Sequence, residues 1–177
     1  MKKLFVLFGL LFFTSISLAQ KSDSICIVNK DTIVTDSHTG APILIGYCNR
    51  QAFNDTSFSW WFESMYDLYN VDSLVANECA PKLKKVDITI VMGTWCSDSR
   101  REVPRLFKIL DYLKYPSDKV TIIAIDRDKK GRGDDIKNLK IELIPTIIFY
   151  RDKKEIGRIV ESPKVSLEKD MLKILEG

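Results

Sequence analysis

A cysteine can act as a nucleophile only as its thiolate, so its position along the chain decides whether it is chemically interesting. Cys96 lies in the stretch Val91-Met-Gly-Thr-Trp-Cys-Ser-Asp-Ser-Arg-Arg-Glu-Val-Pro104, at the point where the hydrophobic period changes. Before it, Val86 to Met92 is a short apolar run rich in β-branched residues and closed by Gly93, the pattern of a buried strand. After it, Val103, Leu106, Phe107, Leu110 and Leu113 recur at helical spacing and give one apolar face. The helix begins near Ser97 or Ser99, which puts the thiol at its first turn. There, unpaired backbone N–H groups and the positive end of the helix dipole favour a thiolate. Charged neighbours work in both directions: Asp98 opposes ionisation and Arg100 and Arg101 favour it, according to where their side chains point. Ser99 with Glu102 also fits a helix-capping box, an account that explains the serines and acids but not the Trp95-Cys96 pair.

Trp95-Cys96-x-x-Ser99, with Pro104 eight residues after the cysteine and Ile144-Pro145-Thr146 further on, resembles the thioredoxin family. The resemblance covers roughly residues 86–177. It implies a thioredoxin-like α/β fold, a central mixed β-sheet flanked by helices. It also implies a cis bond at Pro145 and a substrate groove formed by Trp95, Ile144, Pro145 and Thr146 beside catalytic Cys96 and Ser99. Two departures fall on one half-reaction. Dithiol members carry a second cysteine where this chain has Ser99, and many carry a buried acid where it has Ile90. The implied activity is thiol–disulfide exchange through a single nucleophilic cysteine, without cofactor. Its partners would be protein or peptide thiols and disulfides, and an external thiol or redox partner. The alternative is a redox-inactive module that binds extended peptide along the groove.

The elements that must hold this site extend on both sides. Residues 1–19 have the zones of a secretory signal: Met1-Lys-Lys, an apolar run from Leu4 to Phe13, and Ser17-Leu-Ala19 as a cleavage site. Ten apolar residues make a helix of roughly 15 Å, about half the ~30 Å hydrocarbon core, so the run does not span a membrane. The chain is therefore expected to be exported to a periplasmic or extracellular space. Without those residues 158 of the 177 remain, with 25 basic and 24 acidic side chains, a balance that gives no footprint for nucleic acid.

In an oxidising compartment four cysteines, Cys26, Cys48, Cys79 and Cys96, allow three complete pairings. If Cys96 stays reactive, Cys48 and Cys79 are the expected resolving or bridging pair. No cysteine spacing matches a metal signature, and the single His38 stands in a turn, so no metal site is expected.

Residues 20–85 read as an extension packed on the core. Strands are expected at 25–28, 32–34 and 42–48, with turns at 29–31 and 39–42. Residues 57–69 read as an aromatic-faced helix with Phe58, Trp61, Phe62, Met65, Leu68 and Tyr69 inward and Ser57 or Ser59 as cap. Trp60 and Tyr66 lie off that stripe, and their joint exposure would mark a binding surface. A second helix is capped by Asp72, carries Val75, Cys79 and Leu83 on its apolar row, and is disturbed by Pro81. Downstream come a buried strand at 120–125, a turn-rich stretch over 126–133, a short helix near 134–140, a hairpin of 146–150 and 155–160, and a closing helix capped by Ser162 or Ser166. That order predicts a sheet covered on both faces.

Overall fold

The computed structural model of the chain describes residues 32–130 and 135–177. The signal segment, Cys26 and its strand, the turn at 29–31, and part of the turn-rich stretch and of the start of the short helix lie outside the described residues. Strands β1 (Thr32–Thr35), β2 (Pro42–Cys48), β3 (Val86–Met92), β4 (Val120–Ala124), β5 (Thr146–Arg151) and β6 (Lys154–Val160) form one sheet in the order β1-β2-β4-β3-β5-β6. Only β3 and β4 run parallel, and every other neighbouring pair is antiparallel. The parallel pair is joined by helix α3 (Ser97–Tyr112), because parallel neighbours need a crossover.

Alternation along the strands sorts the side chains into two layers. Ile88, Ile90, Met92, Ile122, Ala124, Ile147 and Phe149 face one cluster, with Phe58 and Trp61 of α1 (Thr56–Leu68), Ala76 and Cys79 of α2 (Ser73–Leu83), Leu106 of α3 and Met171 of the closing helix. Val91, Ile123, Ile125 and Ile144 face the other, a smaller cluster sealed by Tyr47, Trp95, Ile136, Leu139 and Ile141. The four long helices among the described residues therefore contribute to one cluster. The opposite face is closed by the indole of Trp95 and by the short helix α4 (Asp135–Asn138) with the segment after it. Both faces are covered as expected, but unequally.

Local chemistry sets the element ends. Asp55, not Ser57 or Ser59, caps α1: its carboxylate accepts the Ser57 N–H at 2.8 Å, and a charged acceptor also complements the helix dipole. Leu68, expected inward, is 71% exposed, because α1 ends there and the chain turns away. Asp72 caps α2 as predicted, and Pro81 is accommodated inside its last turn. Ser166 caps α5 (Leu167–Glu176). The hairpin turn is shorter than expected, only Asp152 and Lys153, both at positive φ as a two-residue primed turn requires. Between β2 and α1, residues 50–54 form a short 3-10 helix that buries Phe53, stacked on Phe62 at 4.7 Å between ring centroids.

Candidate functional site

β3 stops at Met92, and the Cys96 N–H closes a turn onto the Gly93 carbonyl at 3.0 Å. Cys96 then takes the N-cap position of α3 in extended conformation, and its side chain makes no capping bond. The sulfur is thereby left free to face outward from the corner. Partly exposed, it donates to the Ile144 carbonyl at 3.4 Å, and the Ile144–Pro145 bond is cis.

Ser99 is one turn further along α3 and wholly buried. Its hydroxyl oxygen accepts the Gly93 N–H at 3.3 Å, so it ties the end of β3 to the helix instead of holding the thiol. The capping-box account of Ser99 and Glu102 also gives way, since Cys96 is the cap and the Glu102 carboxylate pairs with Arg101 and Arg105.

Trp95 and Ile144 pack beside Cys96 as expected, and Pro145 follows directly. Thr146, expected to line a groove, is instead buried, and its hydroxyl donates to the Leu143 carbonyl at 2.6 Å, tying down the segment ahead of Pro145.

A brace not anticipated from the sequence holds Trp95. Its indole N–H donates to the Ile125 carbonyl at 2.9 Å, and the Arg127 guanidinium lies 4.7 Å from the ring centroid. Arg127 is paired at 2.9 Å with Asp36, 3% exposed, in the turn after β1. The Asp36 carboxylate also accepts the His38 N–H and the Thr39 hydroxyl. These partners, the His38 backbone bond foremost, pull the Asp36 carboxyl down to about 2 against the cost of burial. The Asp-Ser-His-Thr-Gly run was the available signal, an aspartate placed to fold back on its own backbone. A carboxyl depressed in the folded state stabilises it above the ordinary aspartate range near 3.8, and loses that contribution as pH falls through about 2. Asp36→Asn should therefore unfold at lower urea than wild type at pH 7, with the gap shrinking between pH 4 and pH 2. A gap that stays constant over that range contradicts the assignment.

Around the sulfur the charges separate. Asp98 is neutralised by Arg101 at 2.7 Å, and Arg101 also holds Glu102 and Ser162. Arg100 has no such partner among the described residues. Its Nε donates to the Thr94 carbonyl, and its guanidinium lies 5.9 Å and 5.8 Å from the ring centroids of Trp60 and Trp61. Burial disfavours the Arg100 cation and Arg127 repels it, whereas the Cys96 thiolate favours it. Trp60 is 64% exposed, but Tyr66 is half-buried and bonded to Asp111, so the two do not form one patch.

The remaining described thiols lie in the core. Cys48 and Cys79 are buried, whereas Cys96 is partly exposed. Burial, followed by the Glu168 charge, pushes the Cys79 thiol up to about 11, which suits a core residue and not a resolving nucleophile. Among the described residues no group of three metal-ligating side chains occurs, and no helix is long and apolar enough to cross a membrane.

A strand running into Trp95-Cys96, a proline-containing helix, a cis proline opposite the thiol, and a final hairpin and helix define a thioredoxin-like α/β fold. The chain is 32% identical over 79 residues to mitochondrial thioredoxin O of Oryza sativa subsp. japonica, a match covering 45% of this chain and 43% of that protein. It is 29% identical over 79 residues to thioredoxin-like protein R548 of Acanthamoeba polyphaga mimivirus, covering 45% and 55%. The match thus spans about half the length of each relative. Thioredoxin O2 of Arabidopsis thaliana, solved in an oxidised state, aligns over 58% of this chain and 85% of its own at 24% identity, with a TM-score of 0.39. No family model matches the chain.

Proposed function

We propose that this chain is an exported thiol–disulfide exchange protein working through the single sulfur of Cys96. The observation that carries this reading is the placement of that sulfur: at a helix N-cap, partly exposed, hydrogen-bonded to the carbonyl ahead of a cis proline. The Cys96 thiolate attacks one sulfur of a disulfide, forming a Cys96–substrate bond. The other sulfur departs with the bonding electron pair and takes a proton from solvent. Ser99 cannot reverse the adduct, because a hydroxyl supplies no thiolate. Release therefore needs a second thiol. One on the substrate gives isomerisation, and an external thiol, itself oxidised, gives reduction.

Trapping with a model disulfide, read by intact mass, tests the exchange. Wild type should gain one adduct that external thiol removes, and Cys96→Ser should gain none. A wild type that gains no adduct leaves the groove as a site for peptide capture without exchange. The export half of the reading rests on Met1-Lys-Lys, the apolar run and Ser17-Leu-Ala19. The same mass measurement on protein from its own host should find a chain beginning at Gln20. A chain still beginning at Met1 counts against export.

A further inference from the structure

Arg100 is the one guanidinium beside the thiol with no carboxylate partner among the described residues, whereas Arg101 and Arg127 are both neutralised by acids. It is one turn along α3 from Cys96, on the same side of the helix. It is also held in place. The Nε bond to the Thr94 carbonyl and the faces of Trp60 and Trp61 fix the plane of the group, so little rotamer freedom remains to be lost on binding. Among the described residues only Nε has a protein acceptor, which leaves the two Nη groups without partners there. Beside it Trp60 presents an exposed ring.

We propose that the site selects peptides with an acidic side chain next to the disulfide-bonded cysteine, the carboxylate pairing with Arg100 and the peptide's apolar surface covering Trp60. This rests on the exchange reading and adds its substrate class. While the substrate is bound through a mixed disulfide the Cys96 sulfur carries no charge, and no carboxylate among the described residues pairs with Arg100, so the substrate can supply one. A planar guanidinium with two open N–H pairs suits a carboxylate better than a point charge would.

The probes are three short peptides, each with a single cysteine activated as a thiopyridyl mixed disulfide and flanked by Asp, Asn or Lys. Cys96 attacks the peptide sulfur, the Cys96–peptide bond forms, and the pyridinethiolate leaves with the bonding pair and is protonated by solvent. The leaving group is the same in all three, so its absorbance reports only the effect of the flank.

Wild type at low salt should react about tenfold faster with the Asp peptide than with the Asn peptide and slowest with the Lys peptide, with the spread shrinking at 0.5 M salt. Arg100→Gln should bring the three rates together while still forming adducts, and Trp60→Ala should slow all three alike. Equal rates for the three peptides in wild type, with adducts forming, overturn the charge selection and leave the exchange reading standing. Absence of any adduct overturns both. A spread that survives Arg100→Gln assigns it to another group and also overturns the proposal.

Discussion

With Cys96 acting alone as proposed, Ser99→Cys should release disulfide substrates that wild type only traps, with single-turnover product release at least about a hundredfold faster than wild type when no external thiol is present. The expectation rests on effective concentration. A thiol held on the same helical turn as the mixed disulfide replaces a bimolecular attack with an internal one. Positions three apart on a helix have Cβ atoms about 5–6 Å apart, close enough for a modest local shift to allow a disulfide. Release should leave a bridge between Cys96 and the introduced sulfur, visible as a loss of two hydrogens by mass. Two features restrain the gain. The larger sulfur replaces a wholly buried hydroxyl that accepts the Gly93 N–H, so the reduced variant should lose about 1–2 kcal/mol of stability. Ile90, fully buried on β3, supplies no base to deprotonate the resolving thiol. Turnover of a model disulfide followed beside adduct mass is the decisive pair of readings. A variant that accumulates the same stable adduct as wild type, with no bridge, would show that position 99 cannot reach the sulfur.

Much of this frame can be read from local sequence, because it rests on short-range signals. The end of β3, the start of α3 and the buried β4 follow from the switch between strand and helix periods, and Asp72 and Ser166 act as caps where a cap was expected. What could not be read is long-range or degenerate. Periodicity shows that α1, α2, α3 and α5 each have an apolar face, but not that all four share one core cluster. Four cap-forming side chains, Asp55, Thr56, Ser57 and Ser59, lie within five residues at the start of α1, and the choice of Asp55 over the expected serines depends on how the preceding 3-10 turn ends. The brace from Asp36 through Arg127 to Trp95 joins residues 91 positions apart by an ion pair that no local pattern announces. Ser99 poses a related choice: a serine one turn after a cysteine can point at the sulfur or at the incoming strand, and here its hydroxyl accepts the Gly93 N–H. The close of β3 against α3 decides for the strand.

That brace leads to the second large effect, at Gly93, where the corner is tightest. A Cβ on Gly93 would lie 2.7 Å from Cε2 and Nε1 of Trp95 and 2.9 Å from Cδ1 of Ile144, closer than real Cβ atoms come to any neighbour. The glycine is there for space. The Ile144 methyl can swing aside at little cost, but the indole is pinned by the Ile125 carbonyl on one edge and by Arg127 on its face. Gly93→Ala must therefore either break the indole bond or move the backbone that carries Cys96. Overpacking of this kind costs about 1–3 kcal/mol, and loss of the indole bond about 1 kcal/mol more. For a chain of this length that corresponds to a melting temperature lower by roughly 4–16 °C. Adduct formation at Cys96 should slow as well, because a backbone shift at position 93 moves the turn that carries the sulfur relative to the Ile144 carbonyl that accepts the thiol. A double-mutant comparison separates strain at Trp95 from a general loss of packing. In the Trp95→Ala background the alanine at position 93 has room, so its cost should fall below 1 kcal/mol and the two changes should be clearly non-additive. If Gly93→Ala costs the same with and without the indole, the clash is with the backbone of the turn, and Trp95 does not dictate the glycine.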